Sequence, residues 1–162
     1  MIARCACGRV EYEVAGRPIV SLVCFCSDCQ AGSQQLEALP GAGSVRDSEG
    51  GTAYVTYRKD RVRCVRGVEL LKSHKLREGS ATSRVAASCC NSPMVMSFDD
   101  AKHWVPVYRA RLVGEAPSAE MRVCTKSAPG GSNGSDVPSY PGYPFKLLTK
   151  LLSARIAMLF GR

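Results

Sequence analysis

The segment Cys24-Phe25-Cys26-Ser27-Asp28-Cys29 sets three thiols within six residues, and neither apolar packing nor a disulfide pattern asks for that density at one point of a chain. A shared metal ion does. Zinc closes a tetrahedron with four protein ligands where its role is structural, and keeps three ligands plus an open position where it is catalytic. A C-x-C-x-x-C run suits the second arrangement and singles out Cys24, Cys26 and Cys29 as ligands of an open, activity-linked zinc. The competing reading has Cys24 packed in the core while Cys26 and Cys29 form a redox dithiol. The only histidines, His74 and His103, lie in no metal-spaced motif, and read as strand histidines with a local hydrogen bond.

Four more of the nine cysteines fall in two further groups, Cys5-Ala6-Cys7-Gly8 near the start and Cys89-Cys90 before the turn-like Asn91-Ser92-Pro93. Cys5 and Cys7 cannot fill a tetrahedron alone, so the fold must bring partners, and Cys89 and Cys90 are the natural suppliers of a structural zinc. Such a site contributes folding free energy directly, because the unfolded chain does not hold the ion. The alternative is that Cys89 packs as a small hydrophobe and only Cys90 ligates. Cys64 and the isolated Cys124 read as plain core or surface residues. One or two zinc ions per chain are expected.

Cysteine usage also bears on compartment. Met1-Ile2-Ala3-Arg4 runs into the first cysteine motif without a signal-peptide pattern, and no apolar run reaches the length of a bilayer. A cytoplasmic setting is expected, where thiols stay reduced and close spacings mean metal or redox chemistry rather than disulfides. The net charge of +8 is uneven: residues 140–162 carry Lys146, Lys150, Arg155 and Arg162 with no acid, leaving 18 basic and 14 acidic residues for the rest. With no basic stripe interleaved with aromatics, nucleic acid is not the expected partner.

The local patterns point to a mainly β fold. Residues 9–14 alternate strictly, with Val10, Tyr12 and Val14 on one face. Ile19 to Cys24 and Thr52 to Tyr57 read as more buried strands. Arg61 to Val65, Val68 to Leu76, Ser83 to Ala87, Val95 to Phe98 and Trp104 to Val113 are further strand candidates, separated by Gly, Ser, Asp and Pro as in antiparallel sheets. One short helix, Asp28 to Leu39, is opened by a Ser27/Gln30 capping box and ended by Pro40-Gly41. Cys29 then sits in its first turn, where free N–H groups favour a thiolate. A zinc-binding β domain over 1–126 is expected to be followed by a Gly/Ser/Pro linker over 127–143 and a C-terminal amphipathic helix over 144–162. That helix is too short to span a membrane and is expected to dock on its own domain, on a partner subunit or on a membrane surface.

The ordered motifs Cys5-Ala6-Cys7-Gly8, Cys24-Phe25-Cys26-Ser27-Asp28-Cys29 and Cys89-Cys90-Asn91-Ser92-Pro93 resemble the glutathione-dependent formaldehyde-activating enzyme family, which includes centromere-protein-V-like proteins. The resemblance spans roughly residues 3 to 113. It implies a β-tent of stacked antiparallel sheets with two zinc sites: a structural one at Cys5, Cys7 and the later cysteine cluster, and an activity-linked one at Cys24, Cys26 and Cys29. Three positions depart from the family pattern. Ala87 stands at the first cysteine of its usual C-x-x-C-G, Asn91 replaces the glycine, and Phe25 stands where histidine is common.

The resemblance implies a zinc-dependent carbon–sulfur lyase-like enzyme that joins glutathione, or a similar thiol, to formaldehyde or another small aldehyde. Two other readings stay open. One is a non-enzymatic zinc module that contacts a protein, nucleic acid or membrane surface through its basic C-terminal helix, and the other is a thiol redox switch. Arg58, Lys59, Arg61 and Arg63 are candidates for meeting glutathione's carboxylates, but no glutathione site can be nominated from sequence.

Overall fold

Alternation in the sequence becomes alternation across a sheet in the computed structural model, which describes residues 1–130 and 136–161. Residues 131–135 of the expected linker and Arg162 at the end of the C-terminal segment lie outside the described residues. In chain order the strands are β1 (Ile2–Arg4), β2 (Glu11–Val14), β3 (Val20–Cys24), β4 (Thr52–Arg58), β5 (Val62–Arg66), β6 (Leu71–His74), β7 (Thr82–Ala87), β8 (Ser92–Phe98), β9 (Trp104–Tyr108) and β10 (Met121–Val123). Two helices accompany them, α1 (Ser27–Glu37) between β3 and β4, and α2 (Phe145–Leu159) after β10. The fold is mainly β, as expected, and no helix among the described residues is long and apolar enough to cross a membrane.

Among the described residues the strands form a small sheet in the order β1-β2-β5 and a larger one in the order β10-β3-β4-β9-β8-β7-β6. Every pairing is antiparallel except β10 with β3. The period of two along each strand splits the core into two clusters on opposite faces of the larger sheet. On β4 and β9, Val55, Tyr57 and Val107 face the small sheet, meeting Val10, Tyr12 and Val14. Tyr54 and Tyr108 face the other way, into a cluster with Leu36 of α1, Leu147 of α2 and the thiols of Cys24 and Cys29.

Three elements depart from the sequence reading, each for a local reason. Helix α1 runs over Ser27–Glu37 rather than 28–39, and its N-cap is Cys26, whose Sγ accepts from the Cys29 N–H at 3.3 Å. The thiol precedes the helix, as a cap must, whereas Ser27 is already its first residue. Gln30 does not reach back as a capping-box partner; its amide donates to the Phe25 carbonyl at 2.5 Å and the Ser127 carbonyl at 2.6 Å. The expected strand Val68–Leu76 begins as a 3-10 turn over Val68–Leu70 and becomes β6 only at Leu71, because Gly67 takes a left-handed φ of 73° that breaks the extended run. The run Trp104–Val113 likewise ends as a strand at Tyr108 and turns through Arg109–Arg111.

Beyond β10 the described chain stays close to the domain. Arg122 N–H donates to the Pro138 carbonyl at 2.9 Å and Tyr140 N–H to the Arg122 carbonyl at 2.9 Å, so residues 138–140 run beside β10. Helix α2 is fixed by its buried Leu147, by an ion pair from Lys150 to Glu120 at 2.5 Å, and by a contact of His103 Nε2 with the Leu151 carbonyl at 2.8 Å. His103 is therefore not a strand histidine with a local bond: it is buried just before β9 and reaches a helix far along the chain. Its ring donates through Nε2 to that carbonyl. His74 lies at the end of β6, half-buried.

Candidate metal centres

The first cysteine group sits where the small sheet meets the β7–β8 turn. Gly8 closes a tight turn, its N–H donating to the Cys5 carbonyl at 3.0 Å, with a φ of 77° that only glycine adopts freely. Across from it Cys90 N–H donates to the Ala87 carbonyl at 3.2 Å, and Asn91 follows at φ 50°. Asparagine tolerates the left-handed region better than other side chains, which explains how it stands where the family pattern has glycine. The two turns bring Cys5, Cys7, Cys89 and Cys90 together, all four Sγ atoms lying within 4.8 Å of one another. Separations are 3.6 Å for Cys5–Cys7, 3.9 Å for Cys5–Cys89, 3.3 Å for Cys7–Cys89 and 3.9 Å for Cys89–Cys90. A sulfur tetrahedron with zinc bonds of about 2.3 Å has edges of about 3.8 Å, so this donor set fits a closed zinc site. Cys89 lies among the other sulfurs rather than in the core, and Ala87, at the family's first cysteine position, is buried in β7.

The surroundings favour negative charge on Cys7, while burial and then the neighbouring sulfurs push the Cys89 thiol up to about 12. Val10 N–H donates to Cys5 Sγ at 3.2 Å. The Arg9 side chain, with the Arg9 backbone N–H and then Cys89 assisting, holds the exposed Cys7 thiol down at about 6. Arg9 also donates to the Cys89 carbonyl at 3.1 Å, which ties the two turns together.

The second group is built by the end of β3 and the start of α1. Cys24 closes the strand, Cys26 caps the helix and Cys29 lies in its first turn, and their three Sγ atoms are also within 4.8 Å of one another. Cys24 and Cys29 are buried and Cys26 is half-buried. Hydrogen bonds from Cys24 and then Cys29 pull the Cys26 thiol down to about 2 against the effect of burial. The same contacts with Cys26 and Cys29, then burial, drive Cys24 upward. For Cys29 the bond with Cys24 acts downward, but the Cys26 sulfur and burial outweigh it and push the thiol to about 12. By themselves three crowded thiols hold one negative charge, at the helix N-terminus, and a divalent cation is what lets all three ionise together. The donor set fits zinc with one position left for another ligand.

Neither histidine joins this trio; among the described residues its nearest further groups are Cys124, Tyr143 and Arg84. Cys124, at a left-handed φ of 58°, is buried in the same cluster as Cys24 and Cys29. Tyr143, more than half exposed, lines the same cavity as the trio. Arg84 is 1% exposed and packs against α1 so closely that a Cβ on Gly32 would fall 1.8 Å from its Nε. Its guanidinium donates to the Asp28 carbonyl and exerts its charge on Cys29. An arginine in the middle of a strand and a tyrosine in a Gly/Ser/Pro stretch carry no local signal in the sequence, whereas Cys124, which reads there as a plain core or surface residue, is indeed buried. Phe25, at the family's usual histidine position, is fully buried and is not among the residues that line the cavity beside the trio.

That cavity encloses about 830 Å³ on the α-helical face of the larger sheet. Cys24, Cys26 and Cys29 form part of its wall, and Arg84 and Tyr54 line it. The Arg84 Nε and the Tyr54 hydroxyl are buried without a hydrogen-bond partner, an arrangement that favours a polar ligand atom near them. Arg58, Lys59, Arg61 and Arg63 do not line it. Arg58 is paired with Asp60 at 2.6 Å, and Arg63 with Glu13 at 3.0 Å. Two further cations line the cavity, the exposed Arg77, paired with Asp28 at 3.4 Å, and the half-buried Lys102, paired with Asp100.

The model of the family described as "Glutathione-dependent formaldehyde-activating enzyme" matches residues 1–124, which hold both thiol groups. The chain belongs to that family. A similar fold is met in a crystal structure of a Rhodobacter sphaeroides protein, which superposes with a TM-score of 0.51 at 22% identity over 72% of this chain and 92% of that one. No curated protein matches the chain. Residues beyond 124, including Tyr143 and all of α2, lie outside the family match and still contribute to the cavity that the family's thiol trio opens onto.

Proposed function

We propose that this chain catalyses reversible addition of a thiol such as glutathione to a small aldehyde such as formaldehyde, with zinc held by Cys24, Cys26 and Cys29, and that a second zinc held by Cys5, Cys7, Cys89 and Cys90 is structural. The observation that carries the reading is the contrast in donor sets: four sulfurs at tetrahedral spacing in one group, and three sulfurs opening onto a cavity in the other. A zinc ion bound at the trio supplies a Lewis acid that favours the thiolate and polarises a carbonyl oxygen.

The chain's own residues supply the rest. The trio and the cavity hold thiol and aldehyde side by side, which removes much of the entropic cost of a two-molecule encounter. Three thiolates around a divalent ion leave one net negative charge, and the buried Arg84 guanidinium beside Cys29 offsets it. In the addition, the sulfur–carbon bond forms while the carbonyl π pair moves to oxygen, and the proton lost by the thiol ends on that oxygen. No oxidant or reductant is needed. The unpartnered Tyr54 hydroxyl is the buried donor available to the oxygen as charge develops on it.

The test is exchange spectroscopy by NMR on formaldehyde, glutathione and their adduct. Zinc-loaded protein should accelerate exchange and Cys26→Ser protein should not. An unchanged rate with fully loaded protein removes the proposal. The outer face of α2, with Phe145 79% and Phe160 75% exposed, supports a second role for that helix as a contact for a partner subunit or membrane surface. Deleting residues 144–162 should then abolish that contact without changing zinc content.

A further inference from the structure

The cavity beside the trio is more apolar than a charged tripeptide thiol and a one-carbon aldehyde require. Its volume of about 830 Å³ falls within the roughly 300–1,000 Å³ of sites that bury a drug-sized molecule. Strand register gives it a direction. Cys24 lies opposite Thr52, and Trp104 lies opposite Arg58, six residues further along β4, which is roughly 20 Å at about 3.3 Å per residue. Between these two levels the floor is made by Leu22, Val20, Pro106 and Met96. At the far end Phe98 and Trp104 meet edge to face, with ring centroids 6.2 Å apart. The roof is Leu147, Leu148 and Leu151 of α2, and Leu148 is 52% exposed. Apolar walls in contact with water favour an apolar ligand group that covers them.

We infer that this cavity takes the apolar tail of the carbonyl substrate, so that the chain acts on aldehydes several carbons longer than formaldehyde, with the carbonyl carbon at the trio and the tail running along Leu22 and Met96 towards Trp104. The inference rests on the thiol–aldehyde reading above and names its substrate class. The bond changes are those of the same addition, and the tail is unaltered by them. The roof of the site comes from α2, outside the residues that match the family, while the floor and the aromatic end lie within them, so tail selection draws on the C-terminal segment together with the β domain.

Trp104 is the single tryptophan of the chain and stands in the cavity wall, so its emission reports occupancy without any turnover. Zinc-loaded full-length protein titrated with straight-chain aldehydes from ethanal to octanal should show affinity rising about fourfold per methylene, levelling off where the tail reaches the aromatic end. Thr82→Phe, on the residue paired with Phe98 across β7 and β8, fills that end and should bring the levelling two or more carbons earlier. If that variant does not fold, Leu151→Ser, which strips the roof, should flatten the series instead. Affinity that stays constant from ethanal to octanal overturns the inference, as does a folded variant with an unaltered series. The NMR exchange measurement separates the two proposals. Exchange with formaldehyde alongside a flat series removes the tail site and leaves the reaction standing. A rising series without exchange for any aldehyde removes the reaction, and with it the assignment of these aldehydes as substrates.

Discussion

The two thiol groups are drawn from the same residue type and differ in what the backbone does around them. At Cys5, Cys7, Cys89 and Cys90 two tight turns face each other, the sulfurs satisfy one another's geometry, and the group lies at the surface where a small sheet meets a turn of the large one. At Cys24, Cys26 and Cys29 a strand end runs into a helix start, which aims three side chains at one point, and Cys124, the thiol that a second segment buries nearby, stays outside the group of sulfurs within 4.8 Å of one another. The remaining direction is occupied by a cavity. Closure against openness is thus a matter of whether two chain segments or one contribute to the group.

The sharpest way to break that comparison is to remove one sulfur from each. Cys5→Ser takes a ligand from the group that joins the N-terminus to residues 89 and 90, and structural zinc sites contribute on the order of 10 kcal/mol to folding, comparable to the whole stability of a domain. The variant should lose cooperative thermal unfolding or fail to fold. Cys26→Ser should lower exchange by about a hundredfold or more, with a melting temperature within a few degrees of wild type, since the buried contacts of Cys24 and Cys29 persist. Metal analysis should show two ions per chain, one for each thiol group, falling to one in Cys26→Ser. If both variants unfold alike, or both fold and lose activity alike, the division into structural and reactive groups fails.

Which sulfurs lie together was legible in the sequence to a large degree, because metal-ligand spacing is a local property. C-x-C-x-x-C on a strand-to-helix junction already implies three sulfurs on one point, and Cys5-x-Cys7-Gly8 implies a turn that needs a partner. What spacing could not reveal is which side chains the sheet would carry to the trio from a distance. Arg84 arrives through β7, four strands along the sheet from Cys24, and Tyr143 and Leu147 arrive from a stretch whose composition says only linker and amphipathic helix. The role of His103 is hidden from local sequence for the same reason, since its partner on α2 lies 48 residues away. The start of α1 is obscured in another way: serine is the commoner cap, yet the Cys26 thiol one residue earlier accepts the bond that a capping hydroxyl would.

A finer test asks whether the reactive side depends on more than its sulfurs. Tyr54 is 2% exposed and its hydroxyl has no partner. Removing an unsatisfied buried hydroxyl relieves a desolvation cost, so Tyr54→Phe should leave stability unchanged or raise it by up to about 1 kcal/mol. Exchange should nevertheless fall about tenfold if that hydroxyl donates to the oxygen in the transition state. A variant that is neutral in both respects would confine the chemistry to the trio.

The smallest expected effect concerns how α1, and with it Cys29, is held. Glu37 ends the helix and accepts from Val45 N–H at 2.8 Å, Arg46 N–H at 2.9 Å and Arg46 Nε at 2.7 Å. Burial acts to raise its carboxyl, but the Arg46 side chain and then the two backbone N–H groups outweigh it and hold it below the usual carboxylate value. A group depressed in the folded state stabilises above its unfolded value of about 4.3 and loses that contribution as pH falls through the folded value. Acid should therefore loosen the link between α1 and residues 44–46, read as faster amide hydrogen exchange at Val45 and Arg46 below about pH 4. Glu37→Gln should abolish that dependence and cost about 1 kcal/mol at neutral pH, because the amide oxygen keeps some of the bonds without their charge. The four-sulfur group has no contact with this carboxylate, so amides around Gly8 and Val10 should not follow the same curve. If they do, the two groups unfold as one unit, and the independence on which the contrast between them rests is lost.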